Sequence, residues 1–173
     1  CMQLLWMHER VVLIRDEKLI VFHRRGGSLV VSRKGTVLKL KNKKELPDEM
    51  KKLLKDYSSD LPGDFSIQRN REETTAPIQF FYVDKALVCL INEKIDIVSP
   101  AALGTLTPDP DVVILSNTPR LNLDRILKQI RPRIVVADGS NHKGFVQRCR
   151  STCQALGIEF HLTLEKGAFL YPK

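Results

Sequence analysis

Two loops in the second half of the chain, at residues 116–118 and 138–141, carry small polar side chains directly after short apolar runs. Runs such as VVIL and IVVA are typical of buried parallel strands, and ligands of α/β sheets bind outside the carboxyl ends of such strands. Hydroxyl, amide and carboxylate groups placed there could hydrogen-bond to a phosphate or a sugar. The sequence therefore predicts a pocket lined by Ser116, Asn117, Thr118, Asp138, Ser140 and Asn141. The alternative, that these side chains cap turns and helices, stays open.

Groups that could move a proton or attack a substrate are few in these loops. Asp138, Ser140 and His142 lie at alternate positions of one short loop, where they cannot easily form a nucleophile–base–orienter relay. We therefore assign no catalytic residue, and Asp138, His142 and Asn117 are kept only as weak candidates. The chain has no His-x-His, His-Glu-x-x-His or Cys-x-x-Cys spacing and no Walker or dinucleotide fingerprint. The sequence thus predicts no metal site and no cofactor.

Basic residues outnumber acidic residues by 28 to 20, which gives a formal net charge of +8, and the excess is unevenly distributed. Residues 1–60 have 14 basic against 8 acidic side chains, residues 61–118 have 4 against 8, and residues 119–150 have 8 against 2. Such basic blocks indicate either a polyanionic partner or a solubilising surface charge. The candidate phosphate contacts are the basic residues of 119–150, namely Arg120, Arg125, Lys128, Arg131, Arg133, Lys143, Arg148 and Arg150.

The first half of the chain has the pattern of antiparallel strands with one helix. Apolar or β-branched runs between turn-forming residues predict strands at 10–15, 18–24, 28–32, 36–40, 78–83, 86–91 and 94–98. A helix is expected over residues 45–57, because Met50, Leu53 and Leu54 form one apolar stripe. Residues 58–76 show no period and many breakers, which predicts a loop.

The second half of the chain has the pattern β-α-β-α-β-β. Strands are predicted at 112–115 and 134–137, and helices near 122–130 and from the 138–141 loop to about residue 156. Asn122 is the expected N-cap of the first helix and Gly157 the expected C-terminal cap of the second. Two closing strands, at 158–164 and 167–171, are predicted to flank a turn at 165–166.

These elements predict an α/β (α+β) fold, a mixed β-sheet sandwich with outer helices, in which an N-terminal antiparallel meander precedes the β-α-β-α-β-β half. We expect residues 1–173 to form a single soluble domain, with an antiparallel half at 9–98 and an α/β half at 108–173. No apolar run is long enough to span a bilayer. A chain that opens with Cys1 is expected to be a fragment of a longer protein.

Four segments, at 111–120, 132–141, 153–161 and 165–169, together resemble the C-terminal end of ComEC-type DNA-internalisation proteins. The tetrapeptides at 138–141 (Asp-Gly-Ser-Asn) and 166–169 (Lys-Gly-Ala-Phe) are the most specific pieces. The resemblance is good over 108–173 and weaker over 9–40. Such proteins are polytopic membrane proteins of bacterial natural competence and transformation, with a soluble tail similar to a metallo-β-lactamase-like hydrolase domain.

The chain departs from this pattern where the metal ligands would be. Metal-dependent members of the superfamily carry a His-x-His-x-Asp-His motif, which is absent here, and a later histidine pair, where this chain has Asn117 and Thr118. The resemblance therefore implies a truncated, degenerate and metal-free metallo-β-lactamase-like domain. It would belong to a DNA-uptake protein of the bacterial inner membrane.

The function implied by the resemblance is that of a non-catalytic domain that guides or contacts DNA through its basic residues. Its partners would be DNA, through backbone contacts, and the rest of the polytopic channel. A residual metal-dependent phosphodiester hydrolase or nuclease is one alternative. A structural or dimerising tail of the channel is another, and an oligomer stays open.

Overall fold

The computed structural model describes residues 17–41, 47–59, 65–69, 78–92 and 109–172. Within these residues the chain forms ten strands and four helices. In chain order they are β1 (Glu17–Phe22), β2 (Leu29–Lys34), β3 (Val37–Leu40), α1 (Asp48–Ser59), β4 (Ser66–Arg69), β5 (Ile78–Val83), β6 (Ala86–Ile91), β7 (Val112–Leu115), α2 (Leu123–Ile130), β8 (Ile134–Ala137), α3 (Lys143–Ala155), β9 (Glu159–Leu162), α4 (Thr163–Lys166) and β10 (Phe169–Tyr171).

The strands form two five-stranded mixed sheets. The first sheet has the order β10-β1-β2-β3-β4, and all its pairs are antiparallel except β3 with β4. The second sheet has the order β5-β6-β7-β8-β9, in which β5 and β6 form an antiparallel hairpin and the pairs from β6 to β9 are parallel. Every residue of β6, β7 and β8 is buried, which explains why these strands are continuous apolar runs.

Among the described residues, three large apolar clusters hold the layers together. Side chains of β1 and β2 meet those of β6, β7 and β8 between the two sheets, with Phe169 of β10 among them. The apolar stripes of α2 and α3 cover the other face of the second sheet. Met50 and Leu54 of α1 cover the outer face of the first sheet. The result is a four-layer arrangement of helix, sheet, sheet and helices, which confirms the predicted mixed sandwich with outer helices.

Within the segment predicted as a loop at 58–76, the structure contains the end of α1 and the strand β4. The sequence Ser-Ile-Gln-Arg has no apolar alternation, so its own pattern does not indicate a strand. Its parallel pairing with β3, and the hydrogen bond from the Ser66 N–H to the Thr36 carbonyl (3.0 Å), define it instead. The strands predicted at 10–15 and 94–98 lie outside the described residues.

The turn predicted at 165–166 between the two closing strands is wrong, because a one-turn helix lies there and the strands belong to different sheets. β9 extends the second sheet parallel to β8, the one-turn helix α4 follows, and β10 joins the first sheet antiparallel to β1. Gly167, with φ of +77°, permits the change of direction after α4. The antiparallel half and the α/β half of the chain therefore share the first sheet.

Candidate functional site

The loops after β7 and β8 lie side by side at the carboxyl edge of the second sheet, because Leu115 is paired in register with Ala137. Hydrogen bonds join the loops directly. The Asn117 N–H donates to Ser140 Oγ (2.6 Å), and the Thr118 N–H donates to Asn141 Oδ1 (2.9 Å). The structure therefore brings the predicted pocket residues together, although ligand binding by them stays a prediction.

Asn117 and Thr118 both have positive φ, at 59° and 53°. This left-handed conformation is unusual for residues other than glycine, above all for a β-branched threonine. Their backbone N–H groups are held by Ser140 and Asn141, and Thr118 Oγ1 accepts a hydrogen bond from the His142 N–H (2.9 Å). The strained loop is thus fixed by the neighbouring loop.

Asp138 is the centre of this network and is only 1% exposed. Its Oδ2 accepts a hydrogen bond from Ser116 Oγ (2.6 Å). Its Oδ1 accepts from the Ser140 N–H (3.0 Å), from the Ser140 hydroxyl and from Asn141 Nδ2 (3.1 Å). Burial raises the pKa of Asp138, whereas its hydrogen bonds with Ser116, Ser140 and Ser28 act in the opposite direction. The carboxyl group is therefore a structural anchor for the loops.

The hydrogen bond that the Ser140 N–H donates to the Asp138 side chain forms an Asx-turn, as the capping alternative predicted. The same alternative predicted that Asp138 or Ser140 would be the N-cap of the next helix, which is wrong. The N-cap of α3 is His142, and its side chain makes no capping hydrogen bond. The loop is two residues longer than a direct cap by Ser140 would require.

The turn between β1 and β2 forms a third wall of the site. The Gly26 N–H donates to the Gly139 carbonyl (2.8 Å), and Ser28 Oγ lies 3.0 Å from Ser116 Oγ. A Cβ atom at Gly139 would lie 2.0 Å from the Arg24 carbonyl oxygen, so only glycine permits this approach. The sequence predicted a hairpin turn here but contained no signal for the loop against which it packs.

Two openings flank the first turn of α3. One, which we call the α3 cavity, has a volume of about 780 Å³ and is lined by His23, Arg25, His142, Lys143, Arg150 and Leu164 among others. The other, which we call the α2–α3 groove, has a volume of about 580 Å³ and is lined by Thr118, Arg120, Asn122, His142, Phe145 and Arg148 among others. His142 contributes to both, so the two openings are adjacent.

The eight cations predicted to contact phosphate do not form one face. Three exposed cations line the α3 cavity or the α2–α3 groove, namely Arg120, Lys143 and Arg148. Two are ion-paired, Lys128 with Asp124 (2.8 Å) and Arg150 with Glu165 (2.5 Å), although Arg150 also lines the α3 cavity.

The remaining three cations are exposed and line neither opening. Arg125 lies in the first turn of α2. Arg131 ends that helix, and the Arg133 N–H donates to the carbonyl of Asp111, the residue before β7 (3.1 Å). Arg131 and Arg133 therefore lie at the opposite edge of the second sheet. Arg25 was not among the eight, because it is far away in sequence and reaches the site only through the β1–β2 turn.

The catalytic candidates are not arranged as reacting groups. Asp138 is buried, the Asn117 side chain donates to Asn92 Oδ1 (2.7 Å), and His142 is exposed at the helix end. The described residues include no group of three or more His, Cys, Asp and Glu side chains that could hold a metal ion. Because the Asp138 oxygens are already engaged by hydroxyl, amide and backbone donors, the loop residues that the structure describes here do not fit a metal centre.

Two cysteines on α3 are also unsuited to chemistry. Burial raises the pKa of Cys149 to about 12 and that of Cys153 to about 11, so neither thiol ionises near neutral pH. Both side chains belong to the apolar cluster under α2 and α3. They are packing residues, as free buried cysteines commonly are.

Comparison with known proteins gives the chain a family. No curated protein matches it significantly. In the described part of the chain, no helix combines the length and the apolar character needed to cross a membrane. A family model described as the ComEC C-terminal domain matches residues 19–173, and ComEC proteins are membrane proteins of DNA uptake. Because the match covers well over half of its length, the chain belongs to the ComEC C-terminal domain family.

Proposed function

We propose that this domain contacts the phosphate backbone of DNA during uptake and has no catalytic activity of its own. The contacts are made by four exposed cations at the carboxyl edge of the second sheet, Arg25, Arg120, Lys143 and Arg148. Their position around two adjacent openings is the observation that carries the proposal. Within the described residues none of the four is ion-paired with a carboxylate, so each is available to a phosphate.

Family membership supports DNA as the polyanion, because ComEC proteins act in DNA uptake. The rest of the membrane channel is the second partner, and it holds this domain at the bacterial inner membrane. The four-layer arrangement supports a relationship to the metallo-β-lactamase-like fold. The engaged oxygens of Asp138 and the side-chain bond of Asn117 to Asn92 support the loss of hydrolase chemistry.

The chemistry of the two openings favours backbone contact over reading of bases. Stacking of bases needs exposed aromatic faces, whereas Phe145, which lines the groove, is only 7% exposed. Cationic contacts to phosphates are independent of sequence and weaken steeply with salt. The domain therefore binds DNA with little sequence preference and with strong dependence on ionic strength.

The test is a fluorescence-anisotropy titration of single-stranded and double-stranded DNA across a salt series. One variant combines Arg120→Ala, Lys143→Ala and Arg148→Ala, and a matched control combines Arg125→Ala, Arg131→Ala and Arg133→Ala. The two variants lose the same charge. The first should reduce the slope of log affinity against log salt by about two to three, whereas the control should reduce it by less than about one.

Other outcomes would favour the competing functions. An equal decrease of the salt slope in both variants would mean that the positive charge attracts DNA without specific contacts at the two openings. Turnover of a phosphodiester that depends on a divalent metal and disappears with His142→Ala would favour the hydrolase. Absence of DNA binding together with concentration-dependent self-association would favour a dimerising tail.

A further inference from the structure

We propose that the α3 cavity binds a nucleoside phosphomonoester, either as a free mononucleotide or as the phosphorylated end of a DNA strand. This proposal rests on the proposed DNA contact, and it specifies which part of a nucleic acid is bound and in which cavity. The cavity is lined by cationic side chains, by apolar side chains and by the contact between Gly26 and Gly139. Each of these features restricts the chemistry of the ligand.

The cationic side would hold the phosphate. Arg25 reaches the cavity from the β1–β2 turn, and Lys143 reaches it from the first residue of α3. α3 has 13 residues, no acidic residue in its first turn and no side-chain cap from His142, so its positive end is not neutralised by its own residues. The exposed carboxylate at the rim, Glu165, is paired with Arg150 and leaves the positive charge of Arg25 and Lys143 uncompensated.

The apolar side would hold the nucleoside. Val146, Leu162 and Leu164 line the cavity, and Leu164 is 49% exposed although it is a large apolar side chain. Gln147, Ser151 and Gln154 from α3 line the same cavity and offer donors and acceptors to a sugar or a base edge. A free inorganic phosphate would need neither the apolar side chains nor these polar side chains of α3. The volume of about 780 Å³ is in the range of small-molecule sites, about 300 to 1,000 Å³.

The contact between Gly26 and Gly139 favours a strand end over the interior of a strand. Gly26 and Gly139 line the cavity and are joined by their 2.8 Å hydrogen bond, so the β1–β2 turn and the 138–141 loop meet on that side. A strand that entered beside Lys143 would meet this contact, which favours binding of its end over binding of its interior. Asp138 also lines the cavity, but it is only 1% exposed and its oxygens accept hydrogen bonds from Ser116 and Ser140, so it presents little free negative charge to an anion.

The first experiment is calorimetric titration of the wild-type protein with deoxyadenosine 5′-monophosphate, deoxyadenosine and inorganic phosphate. The nucleotide should bind at least about tenfold more tightly than either fragment, because each fragment loses one set of contacts. Arg25→Ala should weaken nucleotide binding about tenfold, which is the usual effect of losing one charge-assisted hydrogen bond. Arg133→Ala is the matched control, because Arg133 is an exposed arginine that lines neither opening, and its loss should leave nucleotide affinity unchanged.

Two further measurements distinguish a free nucleotide from a strand end as the ligand, and the phosphate contacts from the nucleoside contacts. A short oligonucleotide with a 5′-phosphate should bind about tenfold more tightly than the same strand with a 5′-hydroxyl if strand ends are held. Leu164→Ser should weaken binding of the nucleotide but not that of phosphate. All the substituted side chains are exposed, and thermal unfolding of each variant should match the wild type.

The inference is overturned if the nucleotide shows no saturable binding and strands show no preference for a 5′-phosphate. It is also overturned if phosphate binds as tightly as the nucleotide and Leu164→Ser has no effect, since the site would then accept any anion. DNA binding that still depends on Arg120, Lys143 and Arg148 would leave the proposed function standing in either case. Loss of DNA binding at every salt concentration would refute the proposed function separately.

Discussion

The helices α2 and α3 follow neighbouring parallel strands, yet only the N-terminus of α2 has a side-chain cap. At α2, Asn122 Oδ1 accepts the Arg125 N–H (3.1 Å), and Asp124 supplies a negative charge in the first turn. At α3, His142 makes no capping bond and Lys143 takes the first position. The positive end of α2 is therefore satisfied by its own residues, whereas that of α3 faces a cavity lined by cations. This difference marks α3 as the place where an external anion would be stabilised.

The largest expected effect comes from disrupting the contact between the β1–β2 turn and the 138–141 loop. Gly139→Ala would place a Cβ atom 2.0 Å from the Arg24 carbonyl, so the β1–β2 turn must move away. We expect a loss of about 3 kcal/mol in the free energy of unfolding, measured by urea denaturation. The control is Gly144→Ala in the first turn of α3, where the nearest atom is the tip of Arg148 at 3.9 Å. That change should stabilise by about 0.5 kcal/mol. Equal stability of both variants would contradict the close contact of turn and loop.

The next effect concerns the buried carboxyl group of Asp138, in the loop that precedes α3. Asp138→Ala would leave Ser116 and Ser140 without their acceptor and should cost about 2 kcal/mol in the free energy of unfolding.

The pH dependence of stability tests the same carboxyl. Burial raises the pKa of Asp138 in the folded state, so the folded protein holds this proton more tightly than the unfolded chain. Its contribution to stability is therefore full at pH values below the ordinary carboxyl range and is lost as pH rises through the raised pKa. The difference in unfolding free energy between wild type and Asp138→Asn should fall over that interval. A difference that stays constant or rises with pH would contradict the assignment.

A smaller effect is expected from the cap of α2. Asn122→Ala removes the acceptor of the Arg125 N–H and should cost about 1 kcal/mol. His142→Ala removes no capping bond, and it should leave stability almost unchanged. Similar losses in the two variants, measured by thermal or urea unfolding, would show that the two helix ends are not different.

The smallest effect is a gain in stability at α3. His142→Ser would introduce a hydroxyl that can accept a hydrogen bond from the first turn, and it should stabilise by about 0.5 kcal/mol. The same bond would satisfy a backbone donor at the positive end of α3, so nucleotide affinity should fall at the same time. A gain in both stability and affinity would be inconsistent with an anion at this helix end.

The sequence was sufficient for the strands β7 and β8, because fully buried parallel strands have a continuous apolar pattern. It was also sufficient for the Asn122 cap and for the juxtaposition of the 116–118 and 138–141 loops, which follows from strand order alone. These features depend on local pattern and on one rule of sheet topology.

Features that depend on packing between distant segments could not be predicted. Arg25 and Ser28 join the site through a contact between Gly26 and Gly139, and nothing near either glycine in the sequence indicates the other. β4 is a strand only because β3 pairs with it. The basic residues of 119–150 are also divided by topology, since α2 runs back along the sheet and takes Arg131 and Arg133 to the opposite edge.

The most direct test of the DNA contact is amide proton–nitrogen NMR of the protein during titration with a short oligonucleotide. The largest changes in chemical shift should occur at Gly26, Lys143 and Gly144, with further changes near Arg120. The amides of Asp111, Arg131 and Arg133, at the other edge of the same sheet, should change little. The largest changes at those three residues, with none around the first turn of α3, would contradict the account.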